Sequence, residues 1–406
     1  MTRPVDPRPA AESPGNRGFR GIEGARGWLA WAVVVSHLVL LNGANTYGAA
    51  FKVLAKLGDW SVAAFVIISG FVITNLLLTK REPYAVYITR RALRIYPAYL
   101  LSLAFAVWVS SLTTRVLSTI PWGDPGQIWF GRLQVHEIAS GRLWSHLVAH
   151  VLLLHGAIPN DVLQQSQFMF LAPAWSLSLE WQFYLIAPMI VAGLRRSAAK
   201  IVVFLLFVAG MLAYQWGALG GYDLPSILPG AGMLFLLGIA TRLAVDRLPT
   251  FDRYPVVPIL LCLVVLTAAS RNLLPVGLWF AIVSHFRTAP DARGRTAAIL
   301  RAGLDGRIAS AAGDRSYSVY VLHWPLVRLS VFLGYGVLAL PRWTIFALSV
   351  ALVVPAVLLS SELMFRFIER PFIRLGKRAF SSDVRYRAVN VVAPAPIEAP
   401  VRERGP

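Results

Sequence analysis

Apolar runs long enough to cross a bilayer recur along this chain. A helix needs about 20 apolar residues to span a hydrocarbon core about 30 Å thick. Runs bounded by charges, proline and glycine predict about ten such helices in the 406 residues. Their predicted limits are 27–42, 60–78, 93–112, 174–194, 200–216, 226–243, 255–269, 272–286, 316–339 and 343–367.

A shorter apolar stretch, residues 143–155, lies between the third and fourth predicted spans and holds three histidines. It is short for a membrane crossing, so we interpret it as an interfacial or re-entrant helix, with a true span as the alternative. An even number of spans then places both chain termini on the same side of the membrane.

The composition supports an all-α, polytopic membrane helix bundle. Hydrophobic residues make up 56% of the chain and charged residues 15%, whereas soluble domains carry about 25% charged residues. The formal net charge of +19 comes from basic residues close to predicted spans. We therefore expect a lipid bilayer as partner and no nucleic acid.

The basic residues alternate between the two sides of the predicted bundle. The connection after the second predicted span carries Lys80, Arg81, Arg90 and Arg91, whereas residues 217–225 carry no lysine or arginine. Because cytoplasmic connections carry the excess of lysine and arginine, both termini are predicted to be cytoplasmic. The predicted location is a bacterial cytoplasmic (inner) membrane, crossed many times.

Three regions are predicted. Residues 1–24, rich in arginine, proline and glycine, form a disordered basic segment with no cleavable signal, and residues 25–378 form the transmembrane domain. Residues 379–406, rich in proline, alanine and arginine, form a disordered tail. The single cysteine, Cys262, is interpreted as a packing residue.

Ionisable side chains inside spans are costly and are functional candidates. Arg26 and His37 lie eleven residues apart, which places them on one helical face about 16 Å apart along the axis. That distance suits an arginine on the phosphates of coenzyme A and a histidine at its thioester. The alternative is a snorkelling arginine and a histidine bonded to a neighbouring helix.

Two further candidates are the cluster Arg90, Arg91 and Arg94 and, separately, Glu180. Arg91 and Arg94 share a helical face, and their guanidinium groups suit phosphate oxygens, although they also fit ordinary charge placement at a cytoplasmic helix end. Glu180 is predicted at about the depth of His37, where its carboxylate would orient the imidazole. A structural ion pair or a protonated glutamate is the alternative.

Other histidines receive no role from spacing alone. His146, His150 and His155 have a loosely metal-like spacing, but no nearby carboxylate or cysteine completes a ligand set, so no metal is predicted. His323 lies inside a predicted span, and its position does not indicate what it does.

These segments together resemble membrane acyltransferase family 3, which includes bacterial O-antigen and exopolysaccharide O-acetylases, nodulation-factor acetylases and macrolide acylases. Arg26 and His37 reproduce its Arg-x10-His motif, Ser69, Gly70 and Phe71 its Ser-Gly-Phe triplet, and Arg91 and Arg94 its Arg-x-x-Arg motif. The segment around Glu180, WSLSLEWQFY, and the later SYSVYVLHWPL and IERPF segments are similar to further family motifs.

The resemblance implies transfer of an acyl group from acyl-CoA, with acetyl-CoA the expected donor, to a hydroxyl of a carbohydrate or glycosylated small molecule. His37 would be the catalytic base or acyl relay, with Glu180 supporting it. Arg26, Arg91 and Arg94 would bind the donor phosphates. Trp181 departs from relatives with an acidic residue there. Without a C-terminal hydrolase-like domain, the transfer is expected to finish in the bundle or on another protein.

Two other functions remain open from the sequence. A transporter or flippase for an anionic or glycolipid substrate would use the same arginines, with the histidine and glutamate as a proton relay. A non-catalytic membrane subunit would bind a partner protein and no donor. The oligomeric state is not predicted.

Overall fold

The protein is almost entirely helical in the part of the chain that the structure describes. The structure is a computed structural model that describes residues 14–122, 134–137, 139–195, 197–248, 273–288, 294–381 and 385–386. The predicted span at 255–269 with Cys262 lies outside the described residues. So do residues 1–13 and most of the predicted C-terminal tail.

Twelve helices are numbered here in chain order. They are α1 (Pro14–Leu41), α2 (Ala49–Thr79), α3 (Tyr84–Leu117), α4 (Leu143–Val151), α5 (Trp175–Gly193), α6 (Ser197–Gln215), α7 (Leu228–Ala244), α8 (Leu274–Arg287), α9 (Arg295–Leu304), α10 (Arg307–Val331), α11 (Arg342–Met364) and α12 (Arg370–Ala379). A π-helical segment, Phe332–Val337, extends α10, and another, Phe365–Glu369, joins α11 to α12. Strand β1 (Lys80–Arg81) pairs antiparallel with β2 (Arg385–Tyr386).

Five of the described helical segments are long and apolar enough to cross a membrane. They are Phe19–Leu41, Ala49–Thr79, Tyr84–Leu117, Leu228–Arg247 and Arg342–Ala379. Described helices also lie at the other predicted positions apart from 255–269. The all-helical membrane fold is therefore confirmed, while the total of about ten spans and the cytoplasmic placement of both termini stay predictions.

The first helix starts earlier than predicted. Residues from Pro14 onward are helical, although residues 1–24 were expected to be disordered. Ile22 and Ala25 are buried in a small apolar cluster that also includes side chains of α2 and α8, so tertiary packing extends the helix beyond its apolar run. Arg26 consequently lies about 18 Å along the axis from the helix start, at a rise of about 1.5 Å per residue.

The short helix α4 packs against the middle of α3. The Tyr99 hydroxyl donates to the His150 carbonyl at 2.9 Å, and the Tyr96 hydroxyl donates to the Leu152 carbonyl at 3.1 Å. Both tyrosines lie well inside the 34-residue helix α3. This position fits the re-entrant interpretation of the stretch.

Helix α1 lies at the centre of the bundle, packed on α2 and α10. Glycines allow this close approach: a Cβ atom on Gly27 would lie 2.6 Å from the backbone of α10, and one on Gly313 would lie 2.3 Å from the Glu23 carbonyl oxygen. Small residues at helix contacts are typical of membrane bundles. The tight contact fixes how residues of α1 align with residues of α10.

Candidate active site

A small cleft lies among α1, α2, α5, α7 and α10. One part of its wall is polar and another part is apolar, as expected for a site that orients an organic ligand. The polar side chains are Arg26, Ser69, Ser176, Glu180, Ser316, Tyr317 and Tyr320, and the apolar ones are Val62, Phe65, Val66, Leu177 and Phe235. The cleft therefore contains two of the predicted site residues, Arg26 and Glu180.

Glu180 is held by two hydroxyl groups. The hydroxyls of Ser69 on α2 and of Tyr184 on α5 both donate to its Oε1 atom at 2.6 Å. The sequence predicted that Glu180 orients His37, but in the part of the chain that the structure describes no hydrogen bond joins these two side chains. The carboxylate lies in the wall of the cleft, where it accepts hydrogen bonds from Tyr184 of its own helix and from Ser69 of α2.

The residues after Glu180 fix α5 against α7. Gln182 donates to the Ser226 carbonyl at 3.0 Å and accepts from the Leu228 backbone N–H at 3.1 Å. Phe183 stacks on Phe235 with ring centroids 4.2 Å apart. These contacts explain why Glu180 is followed by an amide and aromatic side chains.

The Ser-Gly-Phe triplet on α2 places one side chain in the cleft and two residues in contacts with other helices. Ser69 bonds Glu180, and Gly70 allows the α7 backbone to approach, since a Cβ atom there would lie 2.4 Å from the Phe235 carbonyl oxygen. Phe71 packs edge-on against Trp279 of α8 at 5.4 Å. Trp181, which stands where members of the resembled family have an acidic residue, packs edge-on against Tyr96.

The three predicted arginines gather near Glu180. The Nε atoms of Arg26 and Arg91 are buried and have no hydrogen-bond partner among the described residues, and Arg91 lies 6.0 Å from the ring of Tyr184. Arg94 interacts electrostatically with Glu180 and Tyr184. These two Nε donors are available to a ligand or to an ordered water, although another nitrogen of Arg26 lies 3.6 Å from a Glu23 oxygen.

Arg90 differs from its neighbour Arg91. Its guanidinium forms an ion pair with Glu82 at 2.7 Å, so its charge is already neutralised by a carboxylate. The two adjacent arginines therefore have different surroundings: Arg90 is paired with the Glu82 carboxylate, and Arg91 lies beside the Tyr184 ring.

His37 is paired with a residue that received no role from the sequence. Its Nδ1 atom lies 3.0 Å from Nε2 of His323 on α10, and the two rings are stacked with centroids 5.1 Å apart. The Nδ1 atom of His323 lies 3.2 Å from the Val319 carbonyl oxygen. The sequence signal that could have indicated this position is a helical spacing: Ser316, Tyr320 and His323 lie on one face of α10.

The histidine pair lies beyond one end of the cleft. Tyr320 lines the cleft, its ring centroid is 5.9 Å from that of His323, and its hydroxyl donates to the Pro173 carbonyl at 2.7 Å. His37 itself does not line the cleft. Arg26 in the cleft and the histidine pair outside its lining are therefore two separate positions on α1 and its neighbour α10.

His146, His150 and His155 form a separate buried group. Nε2 of His146 lies 3.1 Å from a Glu137 oxygen, and the rings of His150 and His155 stack with centroids 4.0 Å apart. The described residues contain no group of three or more histidine, cysteine, aspartate or glutamate side chains able to hold a metal ion. Among the described residues these side chains make no hydrogen bond or ring contact with His37 or Glu180, so they lie outside the candidate site.

Comparisons with known proteins point to one enzyme class. A family model described as an acyltransferase domain matches residues 19–361. The matched range includes Arg26, His37, Arg91, Arg94 and Glu180. No solved structure matches the chain significantly.

Three named relatives are similar over most of this chain. Acyltransferase MdmB of Streptomyces mycarofaciens is 26% identical, over 88% of this chain and 92% of its own length. Putative peptidoglycan O-acetyltransferase YrhL of Bacillus subtilis is 26% identical, over 91% of this chain and 57% of its own length. Peptidoglycan O-acetyltransferase OatA of Listeria monocytogenes is 25% identical, over 79% of this chain and 52% of its own length. This chain thus spans little more than half of the two peptidoglycan relatives.

Proposed function

This chain belongs to the membrane acyltransferase family whose model covers most of it, and we propose that it moves an acetyl group from acetyl-CoA to a hydroxyl of a carbohydrate or glycosylated small molecule. It is a multi-pass membrane O-acyltransferase. The donor, the acceptor class and a bacterial cytoplasmic membrane are part of the proposal. No observation favours a transporter.

One observation carries the proposal: Arg26 lines the cleft, and His37, which pairs with His323, lies on the same helix α1. Among the described residues, the buried Nε atoms of Arg26 and Arg91 have no hydrogen-bond partner, while another nitrogen of Arg26 lies 3.6 Å from a Glu23 oxygen. His37 lies about 16 Å further along α1, at about 1.5 Å per residue. An extended pantetheine arm has a comparable length, so phosphates at the arginines would bring the thioester close to His37.

The chemistry proposed for His37 is general base catalysis. His37 removes the proton from the acceptor hydroxyl while that oxygen attacks the thioester carbonyl carbon. The carbon–sulfur bond breaks, and the coenzyme A thiolate leaves and takes the proton back from His37. The products are an ester and free coenzyme A, and the enzyme returns to its starting protonation state.

Glu180 is proposed to act on the donor side of the cleft. It holds Ser69 and Tyr184 by hydrogen bonds, and Arg91 lies above the Tyr184 ring. The carboxylate thereby connects α2, α5 and the arginines of α3. In this proposal Glu180 supports catalysis by keeping the donor arm in line with His37.

Donor binding tests the proposal directly. Acetyl-CoA is titrated into the purified protein in nanodiscs, beside Arg26→Ala and Arg91→Ala. Because a charge-assisted hydrogen bond contributes about 1.5–3 kcal/mol, each substitution is expected to weaken binding roughly 10- to 100-fold.

Arg195→Ala is the matched control for this titration. Arg195 is exposed and makes one long contact, to the Leu77 carbonyl at 3.5 Å, so its removal changes the net charge without touching the cleft and should leave binding unchanged. A folded wild-type protein that binds no acetyl-CoA would contradict the proposed donor and favour the transporter alternative.

The apolar part of the cleft is expected to limit the length of the acyl chain. Phe65 lines the cleft and contacts Tyr320 edge-on, with ring centroids 6.0 Å apart. Phe65→Ala removes this ring, so the variant should use butyryl-CoA relative to acetyl-CoA roughly tenfold better than the wild type. Competition between the two donors measures the ratio. Phe204→Ala, at a position exposed on α6, should leave the ratio unchanged, and an unchanged ratio in Phe65→Ala would exclude this role.

A further inference from the structure

We infer that His323 is the positioning residue that sets the tautomer and orientation of His37, the role that the sequence had suggested for Glu180. The inference rests on the proposed role of His37 as the catalytic base. The Val319 carbonyl oxygen fixes which histidine donates in the hydrogen bond between His37 and His323, and the tautomer of His37 follows from that direction.

A backbone carbonyl determines which ring nitrogen of His323 carries the hydrogen. The Nδ1 atom of His323 lies 3.2 Å from the Val319 carbonyl oxygen. A carbonyl oxygen only accepts hydrogen bonds, so the hydrogen resides on Nδ1 of His323. In a neutral imidazole the other nitrogen, Nε2, then has a free lone pair and can only accept.

Because Nε2 of His323 can only accept a hydrogen bond, it also determines which nitrogen of His37 carries the hydrogen. The Nδ1 atom of His37 lies 3.0 Å from Nε2 of His323. Because that Nε2 accepts, Nδ1 of His37 must carry the hydrogen and donate it. Nε2 of His37 is left unprotonated, which is the form that a general base requires. The opposite arrangement would set the Nδ1 lone pair of His323 against the Val319 oxygen.

The surroundings hold the pair in place. His323 is fully buried, and Trp324 meets the His37 ring edge-on with centroids 5.1 Å apart. Gly27 and Gly313 let α1 and α10 approach closely along the same pair of helices. The two imidazoles therefore have little freedom to separate or rotate.

A neutral partner suits this position. When Nε2 of His37 takes the acceptor's proton, the ring becomes a cation, and its Nδ1–H bond to His323 becomes charge-assisted and stronger. A carboxylate would stabilise the cation more, but it would also place an ion in the buried site between turnovers, which is costly. His323 thus orients the neutral His37 and binds it more strongly once His37 has taken the proton.

Steady-state kinetics of two His323 variants tests the inference. His323→Ala removes the acceptor, so kcat is expected to fall roughly 100-fold with the KM for acetyl-CoA unchanged. In His323→Gln the amide oxygen can accept from His37, so at least about tenfold of the lost kcat should return. His150→Gln, which removes another fully buried histidine, should retain wild-type kcat.

A spectroscopic measurement tests the pairing without using activity. In protein with isotope-labelled histidine, the bond between Nδ1 of His37 and Nε2 of His323 should give a nitrogen–nitrogen coupling across the hydrogen bond. The coupling should persist in His150→Gln and disappear in His323→Gln. No coupling in folded wild-type protein, or equal kcat losses in His323→Ala and His323→Gln, would overturn the inference. An absence of acetyl transfer with the coupling present would contradict the proposed function alone.

Discussion

Replacing His37 with alanine is expected to lower the rate of acyl transfer by roughly 100- to 10,000-fold, the range that a positioned general base contributes. The variant loses the nitrogen that removes the acceptor's proton, and it leaves Nε2 of His323 without its hydrogen-bond donor. The measurement is single-turnover transfer from radiolabelled acetyl-CoA in nanodiscs, with saturating acceptor and equal amounts of folded protein.

Donor binding is the control that separates catalysis from folding in this variant. Arg26 lies about 16 Å from His37 along α1, so His37→Ala should bind acetyl-CoA as tightly as the wild type. His136→Ala, at an exposed position, should transfer at the wild-type rate. Transfer by His37→Ala at the wild-type rate would remove His37 from the mechanism. A labelled acyl-histidine in the wild type would instead replace the general base by a covalent relay.

The sequence predicted the features of this site that depend on one helix at a time. Arg26 and His37 share a face of α1 because eleven residues make about three turns of helix. The apolar runs likewise indicated where most helices lie. The helix starts were less predictable: α1 begins at Pro14 because Ile22 and Ala25 are buried by other helices, and hydropathy does not report such contacts.

Residue spacing along one helix does not predict contacts between helices that lie far apart in the sequence. His37 and His323 are 286 positions apart and Ser69 and Glu180 are 111 apart, so depth in the membrane was the only guide to their neighbours. Depth suggested Glu180 as the partner of His37. The rotation of each helix about its own axis, which depth does not report, gives different pairs. Glu180 on α5 faces Ser69, and His323 on α10 faces His37 on α1.

Gly238→Ala is expected to destabilise the whole bundle. A Cβ atom at this position of α7 would lie 2.1 Å from the Ile67 carbonyl oxygen and 2.8 Å from the Phe71 backbone nitrogen, both on α2. Backbone atoms cannot rotate away as a side chain does, so the two helices must separate. Overpacking of this kind costs about 3 kcal/mol at the upper end of its usual range, which corresponds to a fall in the apparent melting midpoint of roughly 5–10 °C.

Gly303→Ala makes the matched comparison for this prediction. Gly303 is also helical, on α9, but a Cβ atom there meets nothing within 4 Å, so alanine should leave the midpoint unchanged or raise it slightly, through its higher helix propensity. Thermal unfolding in detergent, followed by size-exclusion chromatography, measures both variants. Separation of α7 from α2 would also displace Phe235 and Ser69 in the cleft, so Gly238→Ala should lose donor binding along with stability. Equal midpoints for the two variants would show that α2 and α7 are not in direct backbone contact, and the position of Ser69 beside Glu180 would then need another explanation.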